Sequence, residues 1–170
     1  FHAAAELNQR IRQSTGAPHG PFWGRPRTLP IEGLTEKRPH DTRVAKLRAA
    51  EVAARKQSNS KPKSAWQLAG IGSVGGQSLV GLKAVHTLLE SLGPRAHLWP
   101  FDPEPDQPNA ITIAEIYPSL FEEKSPSHWY KDARQVVDSR DAILDHPHQS
   151  QLLEAPDIAK QEGWIIGVTD

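Results

Sequence analysis

The chain has 170 residues, 37% hydrophobic, with 20 Lys and Arg against 20 Asp and Glu and no Cys or Met. That length supports a domain with a real core, and the balanced charge argues against a polyelectrolyte that binds by charge alone. Without Cys there are no disulfides or thiolate metal sites, which leaves a cytoplasmic setting as the default. No apolar run approaches the roughly 18 residues of a membrane span, and no basic-then-apolar leader is present. The chain opens on Phe1 inside a helical pattern, which reads as a processed chain or a fragment.

Residues 1–15 read as a helix, with Phe1, Ala4, Leu7 and Ile11 on one line and Glu6, Asn8, Arg10 and Arg12 off it. Gly16 closes it. The stretch GAPHGPFWGRPRTLPIEG carries Pro18, Pro21, Pro26 and Pro30, a density that blocks helix and central strand alike. Phe22 and Trp23 within it can anchor the loop to a core or form a stacking platform for a ring. Asp41 is an N-cap choice for a helix over residues 42–56, with Val44, Leu47 and Val52 on its apolar face. Residues 57–64 read as a loop.

Residues 61–92 form the longest low-charge passage. Gly70, Gly72 and Gly75 spell G-x-G-x-x-G ahead of a helix over residues 77–92, whose Leu79, Leu82, Val85, Leu88, Leu89 and Leu92 make a broad stripe. Gly93 and Pro94 end that helix. A short strand follows at 96–99, then a proline-rich loop at 102–109. Residues 110–117 (AITIAEIY) form the clearest strand, with Glu115 near its end. Pro118 opens a turn or short helix through Phe121 and Glu122. Residues 132–145 read as a helix, ended at His146-Pro147-His148. Residues 150–168 read as helical at first, and the closing EGWIIGV is ambiguous between helix and strand.

Charge is uneven along the chain. Residues 36–63 hold nine Lys or Arg against three Asp or Glu, and residues 101–170 hold fourteen acids against five bases. The halves either neutralise each other across the fold or set an anion-binding surface beside a metal-binding one.

Two constellations carry chemistry. The first is the glycine loop, where Lys63, Gly70, Gly72, Ser73 and Gly75 would bind a cofactor phosphate through backbone N–H groups and a helix N-terminus. A dinucleotide fingerprint also needs a hydrophobic strand before Gly70 and an acid after the next strand. SAWQLA is a poor strand, and Asp102 comes late. The alternative is a tight turn with close helix packing. The second is Glu115, a carboxylate on an apolar strand, where a partner or a metal is required. Asp132 and Glu162 are its acidic partners, and a structural ion pair with the basic segment is the alternative. Asp145, His146 and His148 are a looser metal trio, more simply read as surface residues. No nucleophile elbow surrounds Ser73.

Seven segments in order, AELNQRI, GPFWGRP, KPKSAWQLAGIGSVGGQSLVGL, HLWPFD, AEIYPSL, KDARQV and EGWIIGV, resemble an uncharacterised bacterial ribonuclease-H-like family. Its members often carry labels of cobalamin or molybdopterin cofactor biosynthesis. They are longer, beginning with a strand bearing Asp-Trp-Ser and a later strand with Asp before Phe-Pro. Neither is present, so the chain looks like the C-terminal part.

The resemblance implies an α/β fold: a ribonuclease-H-like mixed sheet flanked by helices, with the N-terminal strands missing. Residues 1–170 would form one partial domain. It implies that Glu115 and Glu162 bind Mg²⁺ or Mn²⁺ for phosphodiester chemistry; the residues themselves add Asp132 as a further acid and Lys61, Lys63 or Arg48 to orient a nucleotide or nucleic-acid phosphate. It also implies that EGWIIGV ends a helix, and that the metal site is incomplete without the absent acids. The readings are therefore a metal-dependent phosphoryl enzyme, a nucleotide or cofactor module on residues 70–76, and a scaffold without chemistry. The sequence leaves the oligomeric state open.

Overall fold

The computed structural model describes residues 1–58, 61–121 and 123–169. Asn59 and Ser60 of the expected loop, and Glu122 at the end of the expected turn, lie outside them. Among the described residues the elements are α1 (His2–Thr15), α2 (Ala49–Gln57), α3 (Gly75–Leu92), β1 (Ala96–Leu98), β2 (Ile111–Ile113), α4 (Lys131–Leu144) and α5 (Ala159–Glu162). Short 3-10 turns lie at Gly93–Arg95, Pro118–Leu120 and Gln149–Leu153. The fold is therefore a mixture of helix and strand with one two-stranded parallel sheet. No helix among the described residues is long and apolar enough to cross a membrane.

The chain divides into two units: Phe1–Arg48 with Lys63–Ser91, and Ala49–Pro62 with Leu92–Asp170. In the first unit, Ala4, Phe22, Leu34 and Leu68 are buried together, with Leu7, Ile11, Trp66 and Leu79 packed around them. α1 supplies the expected apolar line, and Gly16 ends it in the left-handed conformation at φ 65°. Two details differ. Phe1 is exposed, and Asn8, placed off the line by periodicity, is 2% exposed. Its side chain replaces a strand partner for the proline-rich loop. Nδ2 donates to the carbonyls of Phe22 and Gly33, both at 2.9 Å, and Oδ1 accepts the Phe22 N–H at 2.8 Å. Gly20 abuts this amide so closely that a Cβ there would collide with Asn8 Oδ1.

Phe22 is the anchor of that loop, edge-on to Trp66 with ring centroids 5.2 Å apart. Trp23 exchanges backbone bonds with the segment before the glycine turn: its N–H donates to Trp66 O and its carbonyl accepts the Leu68 N–H.

The expected helix over residues 42–56 starts only at Ala49. Its first seven residues are irregular because their carbonyls are used elsewhere. The Val44 carbonyl accepts from Thr42 Oγ1 and Arg38, that of Ala45 from Trp66 Nε1 (3.1 Å), and that of Lys46 from Ser64 Oγ (2.6 Å). Arg43 also adopts φ 52°, outside the helical region.

The second unit packs the small residues of α2 (Ala50, Ala53, Ala54) against Ala159, Trp164, Ile165 and Val168. β1 and β2 pair in register Ala96 with Ile111 through Leu98 with Ile113. The expected strand over 110–117 is thus shorter: after Ile113 the backbone leaves the ladder, and only an isolated bridge of Glu115 with Ile165 continues it. α4 forms as expected, shifted by one residue. The helical reading of 150–168 is not met. Only Ala159–Glu162 is α-helical, so just the first residue of EGWIIGV belongs to a helix end, and the rest makes no strand beyond that bridge. Gly163 (φ 78°) and Gly167 (φ 77°) turn the backbone there, burying Trp164, Ile165 and Val168.

Candidate functional site

The glycine loop belongs to the first unit. Gly70 (φ 112°) and Gly72 (φ 72°) take conformations that side-chain-bearing residues rarely adopt. The turn is held by Ser73 N–H donating to Gly70 O (3.1 Å) and Gly75 N–H donating to Gln67 O (2.9 Å). Gly75 has a steric reason as well. A Cβ there would lie 2.5 Å from Ala65 O and 2.7 Å from Gln67 O, so only glycine lets α3 begin this close to the preceding segment. α3 starts at Gly75, two residues before the expected start.

Two features leave this loop open to an anion. The N–H groups of Gly76 and Gln77 have no protein acceptor among the described residues, because the loop bonds stop at Gly75 and resume with Ser78 to Val74. The stem of the exposed Lys63 lies across the turn, its Cε 3.0 Å from where a Gly72 Cβ would be. Ser73 is half-buried beside them. What precedes Gly70 is not a strand; the segment makes a single parallel bridge, Gln67 with Trp23. Asp102, the acid a dinucleotide fingerprint would use, accepts the Leu98 N–H on Oδ2 at 2.9 Å and so closes its own loop.

The acids lie in the second unit. Glu115 is exposed rather than buried: the chain has left the β1–β2 ladder, and its carbonyl accepts the Ile166 N–H at 2.9 Å. Glu162 ends α5 half-buried, and its Oε2 accepts the Ala49 N–H at 2.7 Å. Ala49 is the first residue of α2, so this carboxylate satisfies one of the open donors of that helix and faces its positive end. Asp132 sits exposed in the first turn of α4. Among the described residues no three His, Asp or Glu side chains come together in a way that could hold a metal ion. Glu115, Glu162 and Asp132 therefore offer no three-ligand set, and a metal would have to take at most two of these carboxylates. His146 Nδ1 accepts the His148 N–H at 3.2 Å, an arrangement local to that loop.

Sequence reasoning did not find a cleft along α1, lined by Glu6, Gln9, Arg12, Gln13 and Glu32. None of the candidate site residues lines it. The available signal was the row Ala5, Gln9, Gln13 on one helical face, which is polar where the opposite face is apolar. No family model, curated protein or solved structure matches this chain.

Proposed function

We propose that this chain binds a phosphate-bearing ligand of the nucleotide or nucleotide-cofactor class at the loop formed by Lys63, Gly70, Gly72, Ser73 and Gly75. The observation that carries the reading is the pair of open N–H groups, Gly76 and Gln77, at the start of an 18-residue helix beside the Lys63 stem. Helix N-termini favour anions through aligned N–H dipoles, and a nearby ammonium adds charge attraction. The glycines keep side chains away from that surface. Titration with GTP, NAD or a molybdopterin nucleotide is expected to change Trp66 fluorescence, since Trp66 lies between Ala65 and Gln67, whose carbonyls abut the start of α3 at Gly75. Lys63→Ala should weaken binding by about twofold to fivefold, the worth of one exposed charge pair. No response at millimolar ligand would refute the reading.

A second reading rests on the resemblance to ribonuclease-H-like proteins and on metal-dependent phosphoryl chemistry. What supports it is the bridge of Glu115 to Ile165, which brings the strand acid alongside the backbone three residues beyond Glu162. Mg²⁺ sites can use one or two carboxylates with substrate oxygens completing the shell. On this reading Glu115→Gln lowers Mn²⁺ affinity measured by calorimetry, and unchanged affinity removes it.

A further inference from the structure

The cleft along α1 has a volume of about 680 Å³ and lies wholly within the first unit. That is within the range of small-ligand pockets, roughly 300–1,000 Å³, although its walls are polar rather than apolar. One wall is α1. The other is the turn at Glu32 and Gly33, which comes close to the helix start: a Cβ on Gly33 would sit 3.6 Å from the Ala5 carbonyl. At the far end the cleft is lined by Gly16 and the buried Ala17.

The charges are arranged along the cleft. Glu6 is neutralised by Arg10 at 2.5 Å. Glu32 and Arg12 make no ion pair among the described residues, and the amides of Gln9 and Gln13 make no hydrogen bond there. The lining thus presents one carboxylate, one guanidinium and two amides, all without protein partners. Glu32 is beside Gly33, at the level of Ala5, and Arg12 is seven residues further along the helix. At 1.5 Å rise per residue the two charges are offset by about 10 Å along the axis. Gln9 lies between the two charges, about 6 Å along the axis from Ala5, and Gln13 is the residue next after Arg12.

Those spacings match one class of molecule. An extended peptide advances about 3.3 Å per residue, so three residues span about 10 Å, and the second peptide group falls roughly 6.6 Å from the ammonium end. We propose that this cleft binds a short extended peptide, of about three residues, with both termini free. Its α-ammonium pairs with Glu32, a peptide group meets the Gln9 amide, and its carboxylate is received by Arg12 and the neighbouring Gln13 amide. A single amino acid is too short to reach both charges, and a dianion would meet Glu32 unfavourably.

The test is an NMR titration of the intact chain with triglycine, following the side-chain amide signals of Gln9 and Gln13. Saturable shifts at both amides in the millimolar range are expected. Triglycine that is N-acetylated or C-amidated should bind about twofold to fivefold more weakly for each end blocked, as one solvent-facing charge pair implies. Glu32→Gln should erase the penalty for N-acetylation, and Arg12→Gln the penalty for amidation. Absence of saturable shifts, or equal binding of free and doubly blocked peptide by the unaltered chain, overturns the proposal without reference to the variants.

Discussion

Asn8 is the residue whose loss the first unit should feel most. Its three hydrogen bonds hold two separate loop positions, Phe22 and Gly33, to one helix. Removing them leaves the Phe22 N–H and carbonyl without these partners inside the core, and each unsatisfied group costs about 1–3 kcal/mol. Asn8→Ala is therefore expected to destabilise the chain by about 2–4 kcal/mol, measured by urea denaturation. Asn8→Asp should do the same, because a carboxylate cannot donate to the two carbonyls. A midpoint unchanged in either variant would mean that the amide is incidental. Nothing in the local sequence announced this role. Periodicity marks Asn8 as a surface residue, and only the closeness of Gly20, 12 positions away, creates the buried niche. Phe22 was readable, since an aromatic in a proline-rich loop orders that loop by burial. Glu115 was misread for the complementary reason: apolar neighbours suggested burial, but the ladder ends two residues before it.

At the scale of elements, α2 depends on a residue more than a hundred positions away. Its nine residues are too few to be stable alone in water. The first N–H groups of such a helix need capping acceptors. Glu162 supplies that function through the Ala49 N–H, and a carboxylate there is favourable with respect to the helix dipole. Glu162→Ala is expected to cost about 0.5–2 kcal/mol, seen as a lower melting temperature in buffer containing EDTA. If the melting temperature is unchanged there, the cap contributes nothing, and the carboxylate is free to serve another purpose. Helix positions were well read where periodicity was undisturbed, as in α1, α3 and α4. They failed at residues 42–48, where three carbonyls are taken by side chains from 38, 64 and 66. Such long-range competition is not visible in a local window. α3 shows another limit of pattern. Its stripe is real, yet of the stripe residues Leu79 joins the first core, while Leu82 (59%) and Leu88 (46%) are exposed.

For the molecule as a whole, the mixed α and β character was legible and its division was not. Proline and glycine punctuation placed the breaks between elements, but composition does not change at 48, 62 or 91, where the chain passes from one unit to the other. The glycine turn was recognisable as a turn from its spacing, and its steric cause, the approach of Gly75 to the Ala65 and Gln67 carbonyls, required the fold. The acids were identified by residue type alone, which says nothing of whether a carboxylate will face solvent, a helix end or another acid.

The passage of residues 49–62 out of the first unit has a temporal consequence. The bonds from Ser64 to Lys46 and from Trp66 to Ala45 close the base of that excursion. During synthesis, the excursion leaves the ribosome roughly a hundred residues before the Trp164, Ile165 and Val168 surface against which its alanines pack. Until then α2 lacks both Glu162 and its packing partners, and a helix of nine residues stays largely unformed. The nascent chain must carry α2 as an open coil while the first unit closes around its base, so the second unit can be completed only after residue 168 is made.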